Sequence, residues 1–597
     1  MSVLDAPAAA GPARRFWIAF GALGVVFHLG LIFYGLVPNL VARPLHMAFA
    51  LPWIFLFAAG SPAARVSGAV LTAVGVLSCL WIAVAHAALR DQYGFLEGDL
   101  QVALAVALLL IAMEGARRAI GWPLPAVALL ALLYGLFGQH IPGTFGHAGT
   151  PLRSFLGTLV IAEGGLWGSL TGVSVGIVAV FVIFGAVLNA GEAGQGFMNV
   201  AAAAAGRLQA GAAKVSVLSS ALFGSISGSA SANVASTGAI TLPAMTRLGY
   251  PRRLAAATEA VASSGGQIMP PLMGAGAFVM VELTGIPYTQ IMLAALLPAI
   301  LYFATVWQGL NAFSQRHELR PIPEEERPAR RQVAITSGFF LVPFATLLTG
   351  MFALGYTPQY AAALSIFTGL ALLFVDATLQ PDARQGLARL GEAMLNAGRQ
   401  VALIAAVIIC ASIVIGVLGI TGLGVKITSA ILSGSGGALW PALLLTALAC
   451  LLLGMEVPTT AAYVICVSVA GPALIELGLE PLRAHLFVFW FALLSTITPP
   501  VCGAVFIAAG MVQENWLRVA LTAMALGVGL YVIPLAMIAH DPLIRVATEP
   551  AAALLAFGMV GLGLAGLSRA LIGRGGPVRK LLLGGGGLVL CLAGLVF

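Results

Sequence analysis

Two stretches decide the fold of this chain, and they match. The first runs Gly224-Ser-Ile-Ser-Gly-Ser-Ala-Ser-Ala-Asn233, passes Pro243 and Leu248-Gly249, and ends at Ser263-Ser-Gly-Gly-Gln-Ile-Met-Pro-Pro271. The second runs Gly454-Met-Glu-Val-Pro-Thr-Thr460, passes Pro472 and Leu477-Gly478, and ends at Ser495-Thr-Ile-Thr-Pro-Pro500. Pro243 and Pro472, Leu248 and Leu477, Gly249 and Gly478, Pro270 and Pro499, Pro271 and Pro500, and Gly274 and Gly503 all differ by 229 positions. One unit is used twice.

Around these stretches the composition is that of a membrane protein. Hydrophobic residues make up 60% and charged residues 9%, with a mean hydropathy of +1.01, whereas a soluble globule carries about 25% charge. Apolar runs near the ~20 residues that cross hydrocarbon recur at 16–36, 66–88, 169–190, 335–355, 400–420 and 514–538. The expected fold is an all-α polytopic membrane protein of about 15 transmembrane helices plus two re-entrant hairpins. The 72 glycines suit close helix contact in lipid. Cys79, Cys410, Cys450, Cys466, Cys502 and Cys591 sit singly in apolar segments and read as small core residues. Most of the net charge of +7 flanks spans, where the positive-inside rule puts it. Arg14-Arg15 ahead of a full span at 16–36 reads as a first helix with a cytoplasmic N-terminus.

Taken in order, residues 1–120 form a small four-helix module, and 121–168 a connecting span with an interfacial helix. Residues 169–310 hold the first repeat, in which 213–246 reads as a broken helix and 254–285 as a hairpin. A 34-residue helix would measure roughly 50 Å, too long for one crossing, and Pro270-Pro271 divide 254–285 into two short arms. Residues 311–334 make a charged cytoplasmic loop, with five arginines and four glutamates between Arg316 and Arg331. Residues 335–513 hold the second repeat, with a broken 437–476 and a hairpin at 484–510, and spans in 514–597 close the chain. Five crossings between the hairpin entrances make the repeats inverted, and broken helices at matching positions point to a carrier with a mid-membrane site. This count sets Arg247, Arg252 and Arg253 outside, against the charge rule, so either one span is miscounted or that cluster has a use outside.

A helix broken inside the bilayer frees backbone groups that must line a cavity or bind a ligand. Ser225, Ser227, Ser229, Ser231, Thr459 and Thr460 add hydroxyl oxygens to the freed carbonyls, an all-oxygen setting that suits a hard cation such as sodium. Half-helix N-termini near Ser264 and near Thr496 to Thr498 are expected to face a carboxylate. Asn233 is a candidate for the site or for helix-to-helix bonding. Among ionisable residues in spans, Glu259 is expected to reach an aqueous vestibule, while Glu282 and Glu456 are candidates for coupling. Arg483 reads as an interface anchor. The only lysines are Lys214, Lys426 and Lys580, and there is no Walker motif, no His-Glu-x-x-His and no nucleophile elbow. An enzyme is not expected, nor any cofactor beyond the coupling ions.

At these residues the chain resembles the membrane component of TRAP transporters, the tripartite ATP-independent periplasmic family, in its fused, TAXI-associated form. The likeness rests on Phe223-Gly-Ser-Ile-Ser-Gly-Ser229, Ser264-Gly-Gly-Gln-Ile-Met-Pro-Pro-Leu-Met-Gly274, Pro458-Thr-Thr-Ala-Ala-Tyr463 and Ala484-His-Leu-Phe-Val-Phe489, and covers roughly 100–540. It implies sodium-coupled import of small organic acids across the inner membrane. A periplasmic binding protein of TAXI type would hand over the substrate, and an elevator motion would carry it. Carried over by motif, one cation site takes Ser225, Ser229, Asn233, Gly265 and Gly266. The other takes Gly454, Glu456, Thr459, Thr460, Thr496 and Thr498. Substrate is expected at Ser264, Gln267, Pro270, Pro271, Pro499 and Pro500. Glu456-Val457 depart from the Gly-Leu that the family carries there, so Glu456 is expected to alter cation affinity or admit protons. The competing expectations are a one-component sodium/carboxylate symporter, a passive channel and the membrane subunit of an ATP-driven importer.

Overall fold

The computed structural model describes residues 11–57, 59–454, 459–500 and 502–595. Among the described residues, regular structure is helical apart from one isolated bridge between Val375 and Pro381. The first module holds α1 (Gly11–Tyr34), α2 (Asn39–Pro52), α3 (Pro62–Val84) and α4 (Asp99–Ile120), followed by α5 (Pro123–Phe137). After short helices at Leu152–Val160 and Ser169–Val173, α6 (Ala179–Ala190) leads to a helix at Ala193–Ala205 and into the first repeat. Outward side chains such as Leu36, Val84 and Leu581 are apolar and exposed, as lipid contact requires.

The first repeat is built from four helices: α7 (Gly211–Ser227), α8 (Ala230–Arg247), α9 (Arg252–Gly265) and α10 (Ala275–Thr284). α7 stops at Gly228, which takes a left-handed φ of 60° and returns its N–H to the Gly224 carbonyl at 3.1 Å. Ser229 caps α8 at once, its Oγ accepting from the Ala232 N–H at 3.3 Å. A glycine stop followed directly by a serine start reverses the chain. Both outer ends of the pair therefore land on one loop. The Ala210 N–H donates to the Leu319 carbonyl at 3.3 Å, the Tyr250 hydroxyl donates to the Arg320 carbonyl at 3.0 Å, and Arg247 pairs with Glu326 at 2.7 Å.

α9 starts from that same loop but does not fold back. It packs against α7 and α8, whereas α10 packs against the 169–173 helix and α11 (Tyr288–His317). The 30 residues of α11 then return the chain to the loop. The expected hairpin at 254–285 is thus a crossing interrupted over 266–274, and the expected broken crossing at 213–246 is the hairpin. Capping chemistry explains the exchange: Gly228-Ser229 turns the helix around, while Pro270-Pro271 only interrupts one that continues.

α12 (Arg330–Leu348), α13 (Pro358–Leu372) and the 39-residue α14 (Ala383–Thr421) follow. The second repeat shows the same exchange. α15 (Leu439–Leu453) and α16 (Thr459–Glu476) pack as the hairpin, while α17 (Pro481–Leu493) and α18 (Gly503–Val512) form the interrupted crossing expected as a hairpin at 484–510. α19 (Trp516–Leu526), α20 (Gly529–Ala539), α21 (Pro550–Ile572) and α22 (Pro577–Leu592) end the chain. Arg574 donates to the Arg316 carbonyl at 3.1 Å, so the far end of α21 lies at the loop of the first hairpin. At its near end Arg545 pairs with Glu480 at 2.7 Å, so the second hairpin opens toward the opposite face.

This geometry removes the arginine anomaly. Arg247 sits with the Arg316–Arg331 loop and not across the bundle from it, because 213–246 is not a crossing. Among the described residues, twelve helical stretches are long and apolar enough to span, against about fifteen expected. The difference is the 213–246 hairpin, a 15-residue helix within 358–376 and a 16-residue helix at Pro577–Leu592 where the expected span is 579–597.

Candidate functional site

The turn of the first hairpin and the two breaks meet in the interior. A Cβ added at Gly224 would lie 2.4 Å from the Gly266 Cα, and one at Gly228 would lie 3.2 Å from the Gly274 Cα. Turn and break therefore touch backbone to backbone, which only glycine allows. The repeats also touch each other. Thr496 Oγ1 donates to Ser264 Oγ at 2.8 Å, and a Cβ at Gly503 would lie 3.6 Å from Ser231 Oγ.

Of the first expected cation set, Asn233 and Gly266 come together. The Asn233 amide nitrogen donates to the Ser220 carbonyl at 2.9 Å and the Ser263 carbonyl at 3.4 Å, and it lies 3.0 Å from where a Gly266 Cβ would be. Ser225 Oγ is turned back onto the Leu222 carbonyl at 2.7 Å, and Ser229 serves as the α8 cap. Gly265 faces elsewhere, since its Cβ would strike the Tyr302 ring at 2.2 Å. Its role is to admit that ring.

In the second set, Gly454 approaches the 494–496 break, a Cβ there meeting Ser495 at 3.4 Å. Thr459 is buried and Thr460 half-buried at the start of α16. Thr496 bonds across to Ser264, and Thr498 Oγ1 lies 2.7 Å from the Tyr531 hydroxyl. Glu456 lies outside the described residues. Of the residues expected to hold substrate, Ser264 and Gln267 are buried, Pro270, Pro271 and Pro499 half-buried and Pro500 exposed. Away from the centre, Arg483 pairs with Asp541.

Helix polarity at the centre differs from the expectation. Ser264 and Thr496 lie at the C-terminal ends of α9 and α17, where carbonyls project, which suits a cation better than a carboxylate. The N-terminal ends are those of α8 at Ser229, α10 at Gly274 and α18 at Cys502-Gly503. The contacts of Gly228 with Gly274 and of Gly503 with Ser231 bring these three together. Converging N–H groups and positive dipole ends favour an anion. Sequence reasoning missed this convergence, although Gly274 and Gly503 were among the residues repeating at 229.

Glu259 does not reach a vestibule. It is fully buried and accepts hydrogen bonds from Ser216 at 2.7 Å, Ser220 and Ser263 at 3.2 Å, Thr241 at 2.5 Å, and Thr237. Their spacing was a usable signal. Ser216 and Ser220, Thr237 and Thr241, and Glu259 and Ser263 are each four apart, on one face of their helices.

A family model described as "Tripartite ATP-independent periplasmic transporter, DctM component" matches residues 104–552, from within α4 to the start of α21. The chain belongs to this TRAP transporter family. The match covers both repeats and leaves α1, α2 and α3 outside it. Among similar proteins, the C4-dicarboxylate TRAP transporter large permease protein DctM of Pseudomonas aeruginosa is 24% identical over 54% of this chain and 73% of its own length. The 2,3-diketo-L-gulonate TRAP transporter large permease protein YiaN of Escherichia coli is 23% identical over 56% of this chain and 76% of its own. The isethionate TRAP transporter permease protein DctMQ of Oleidesulfovibrio alaskensis is 23% identical over 67% of this chain and 65% of its own. As a TRAP permease, this chain is a multi-pass protein of the inner membrane, and the family works with a periplasmic solute-binding protein.

Proposed function

We propose that this TRAP permease imports small organic acids by sodium coupling, taking them from a periplasmic binding protein of TAXI type. One observation carries the reading: the N-termini of α8, α10 and α18 converge where the C-terminal carbonyls of α9 and α17 also end. An anionic substrate and its cations then stabilise each other in adjacent places. The names of the three relatives carry small organic anions, which agrees with converging helix N-termini. Ser229, Gly274 and Gly503 lie closest to the anion in this scheme. Asn233, Gly266, Thr496 and Thr498 lie closest to the cations.

In this reading the two hairpins and the two breaks move together as an elevator, which the glycine contacts and the Thr496 to Ser264 bond between them support. The face bearing Arg247 and the Arg316–Arg331 loop is cytoplasmic by charge. The test is uptake of radiolabelled organic acids into proteoliposomes, with and without an inward sodium gradient and the neighbouring binding protein. Dependence on both supports the reading. Uptake with sodium but no partner points to a one-component symporter, and flux needing neither points to a pore.

A further inference from the structure

We propose that Glu259 is a proton-binding site, taken up and emptied once per transport cycle, so that a proton gradient contributes to the import that the sodium-coupled reading describes. The inference rests on that reading and deepens it. Glu259 lies halfway along α9, fully buried, seven residues or about 10 Å before the first break. Among the described residues, no arginine, lysine or histidine lies within ion-pair distance of it. The titratable and charged groups of the elements packed around it are engaged or remote. Lys214 of α7 sits over the Trp307 ring at 4.9 Å, and the Tyr302 hydroxyl of α11 donates to the Val261 carbonyl at 2.6 Å. Arg247 of α8 pairs with Glu326. Arg252 and Arg253 at the start of α9 and Arg518 of α19 are exposed, Arg316 and His317 lie at the loop end of α11, and α18 carries no such group.

A buried carboxyl without a cation needs hydrogen bonds in whichever state it holds, and this site supplies them for both. Five hydroxyls surround it, enough to satisfy the ionised form. A hydroxyl has only one hydrogen to give, and three of the five have a second acceptor. Thr241 also reaches the Thr237 carbonyl at 3.0 Å, Thr237 the Asn233 carbonyl at 2.8 Å, and Ser220 the Thr237 hydroxyl at 3.1 Å. When Glu259 carries a proton it donates to a neighbouring hydroxyl, and Thr237 and Thr241 turn back to their carbonyls. Gaining or losing the proton thus reorients hydroxyls without orphaning any of them.

The reorientation has a path to the centre. Thr237 Oγ1 lies 3.4 Å from Asn233 Oδ1, and the Asn233 amide nitrogen sits against the Gly224 to Gly266 contact. A proton at Glu259 therefore bears on the turn and break that hold the first cation site.

The second repeat tells this site apart from a requirement of the fold. At the same offset of 229, Glu259 becomes Val488, and Ser216, Ser220, Thr237, Thr241 and Ser263 become Leu445, Ala449, Cys466, Ala470 and Ala492. Gly238, where a Cβ would lie 3.2 Å from the Glu259 Cγ, becomes Val467. The carboxyl, its five hydroxyls and the glycine that makes room for it are present together in one repeat and absent together from the other. The second hairpin and crossing form without them.

The experiment uses the full chain in proteoliposomes with its binding protein, an internal pH dye and radiolabelled substrate. The wild type is expected to acidify the lumen in step with uptake, and uptake is expected to rise with acid outside when sodium is equal on both sides. In Glu259→Gln the ratio of protons to substrate falls to zero at whatever rate remains. If that variant does not transport, Thr241→Val decides. Loss of one donor to the ionised carboxyl moves the pH midpoint of acid-driven uptake upward by about one unit. Wild-type uptake without proton movement, an unchanged ratio in Glu259→Gln or an unmoved midpoint in Thr241→Val overturns the proposal. Failure of the wild type to import under any gradient overturns the transport reading instead.

Discussion

Replacing Gly224 by alanine tests whether the contact of turn and break is part of the working protein. The added Cβ would sit 2.4 Å from the Gly266 Cα and 2.6 Å from the Asn233 amide nitrogen. Ordinary contacts start near 3.4 Å, so α7 and the first break must part by about 1 Å. The atoms met are backbone or a side chain held by two hydrogen bonds, so none can swing aside. Overpacking of this kind costs about 1–3 kcal/mol, and 2 kcal/mol is roughly a 30-fold change in an equilibrium constant. Parting the backbones moves Asn233 off the Ser220 and Ser263 carbonyls, so the cost falls on the arrangement proposed to bind sodium. Sodium-dependent uptake should then need roughly 30-fold more sodium for half-maximal rate, with a lower melting temperature in detergent. Gly510→Ala is the control, because its Cβ enters open space within α18; it should be neutral or add about 0.5–1 kcal/mol. Wild-type sodium dependence and melting in Gly224→Ala would refute the reasoning.

Three further substitutions probe other parts of the structure. Asn233→Ala removes both amide bonds, a loss of about 1–3 kcal/mol, and should weaken the sodium response at least as much as Gly224→Ala; an unchanged response removes Asn233 from the site. Thr496→Val and Ser264→Ala, taken as a double-mutant cycle in thermal unfolding, should show a coupling of about 0.5–1.5 kcal/mol, and strict additivity would mean the repeats do not hold each other there. Arg389 pairs with Glu192, with side chains 12% and 20% exposed, and donates to the Val375 carbonyl at 2.9 Å. Arg389→Ala should cost about 2 kcal/mol, less than the ~3–5 of a fully buried pair, seen as a lower melting temperature without a change in sodium dependence.

The sequence made the repeat legible because glycine and proline mark chain geometry directly. Gly224, Gly228 and Gly238 marked an interruption in 213–246 and Pro270-Pro271 one in 254–285, and the offset of 229 marked those of the second unit. It did not reveal which interruption reverses the chain. Length suggested a crossing for 213–246, whereas the reversal depends on a left-handed Gly228 followed by the Ser229 cap. The same mistake misplaced the dipole ends, since polarity follows from chain direction. Of the residues grouped by type, Asn233 and Gly266 do come into contact, whereas Gly265 faces the Tyr302 ring. Glu259 looked solvent-bound because carboxylates in spans often are. Its five partners come from three helices, and only their packing brings them together.

The length of α14 has a mechanical consequence. At 39 residues it measures about 58 Å, nearly twice the ~30 Å of hydrocarbon, so it must lie steeply tilted or project well beyond one face. It packs against α1, α2, α4, α5 and α6, and it also touches α16 of the second hairpin. The fit is tight at the first module, where Gly21 lets α1 rest on the Met394 backbone and Gly398 admits the Trp53 ring. Such a helix acts as a beam: under the proposed elevator motion, thrust from the second hairpin would pass through α16 into a helix braced by five neighbours instead of into loops.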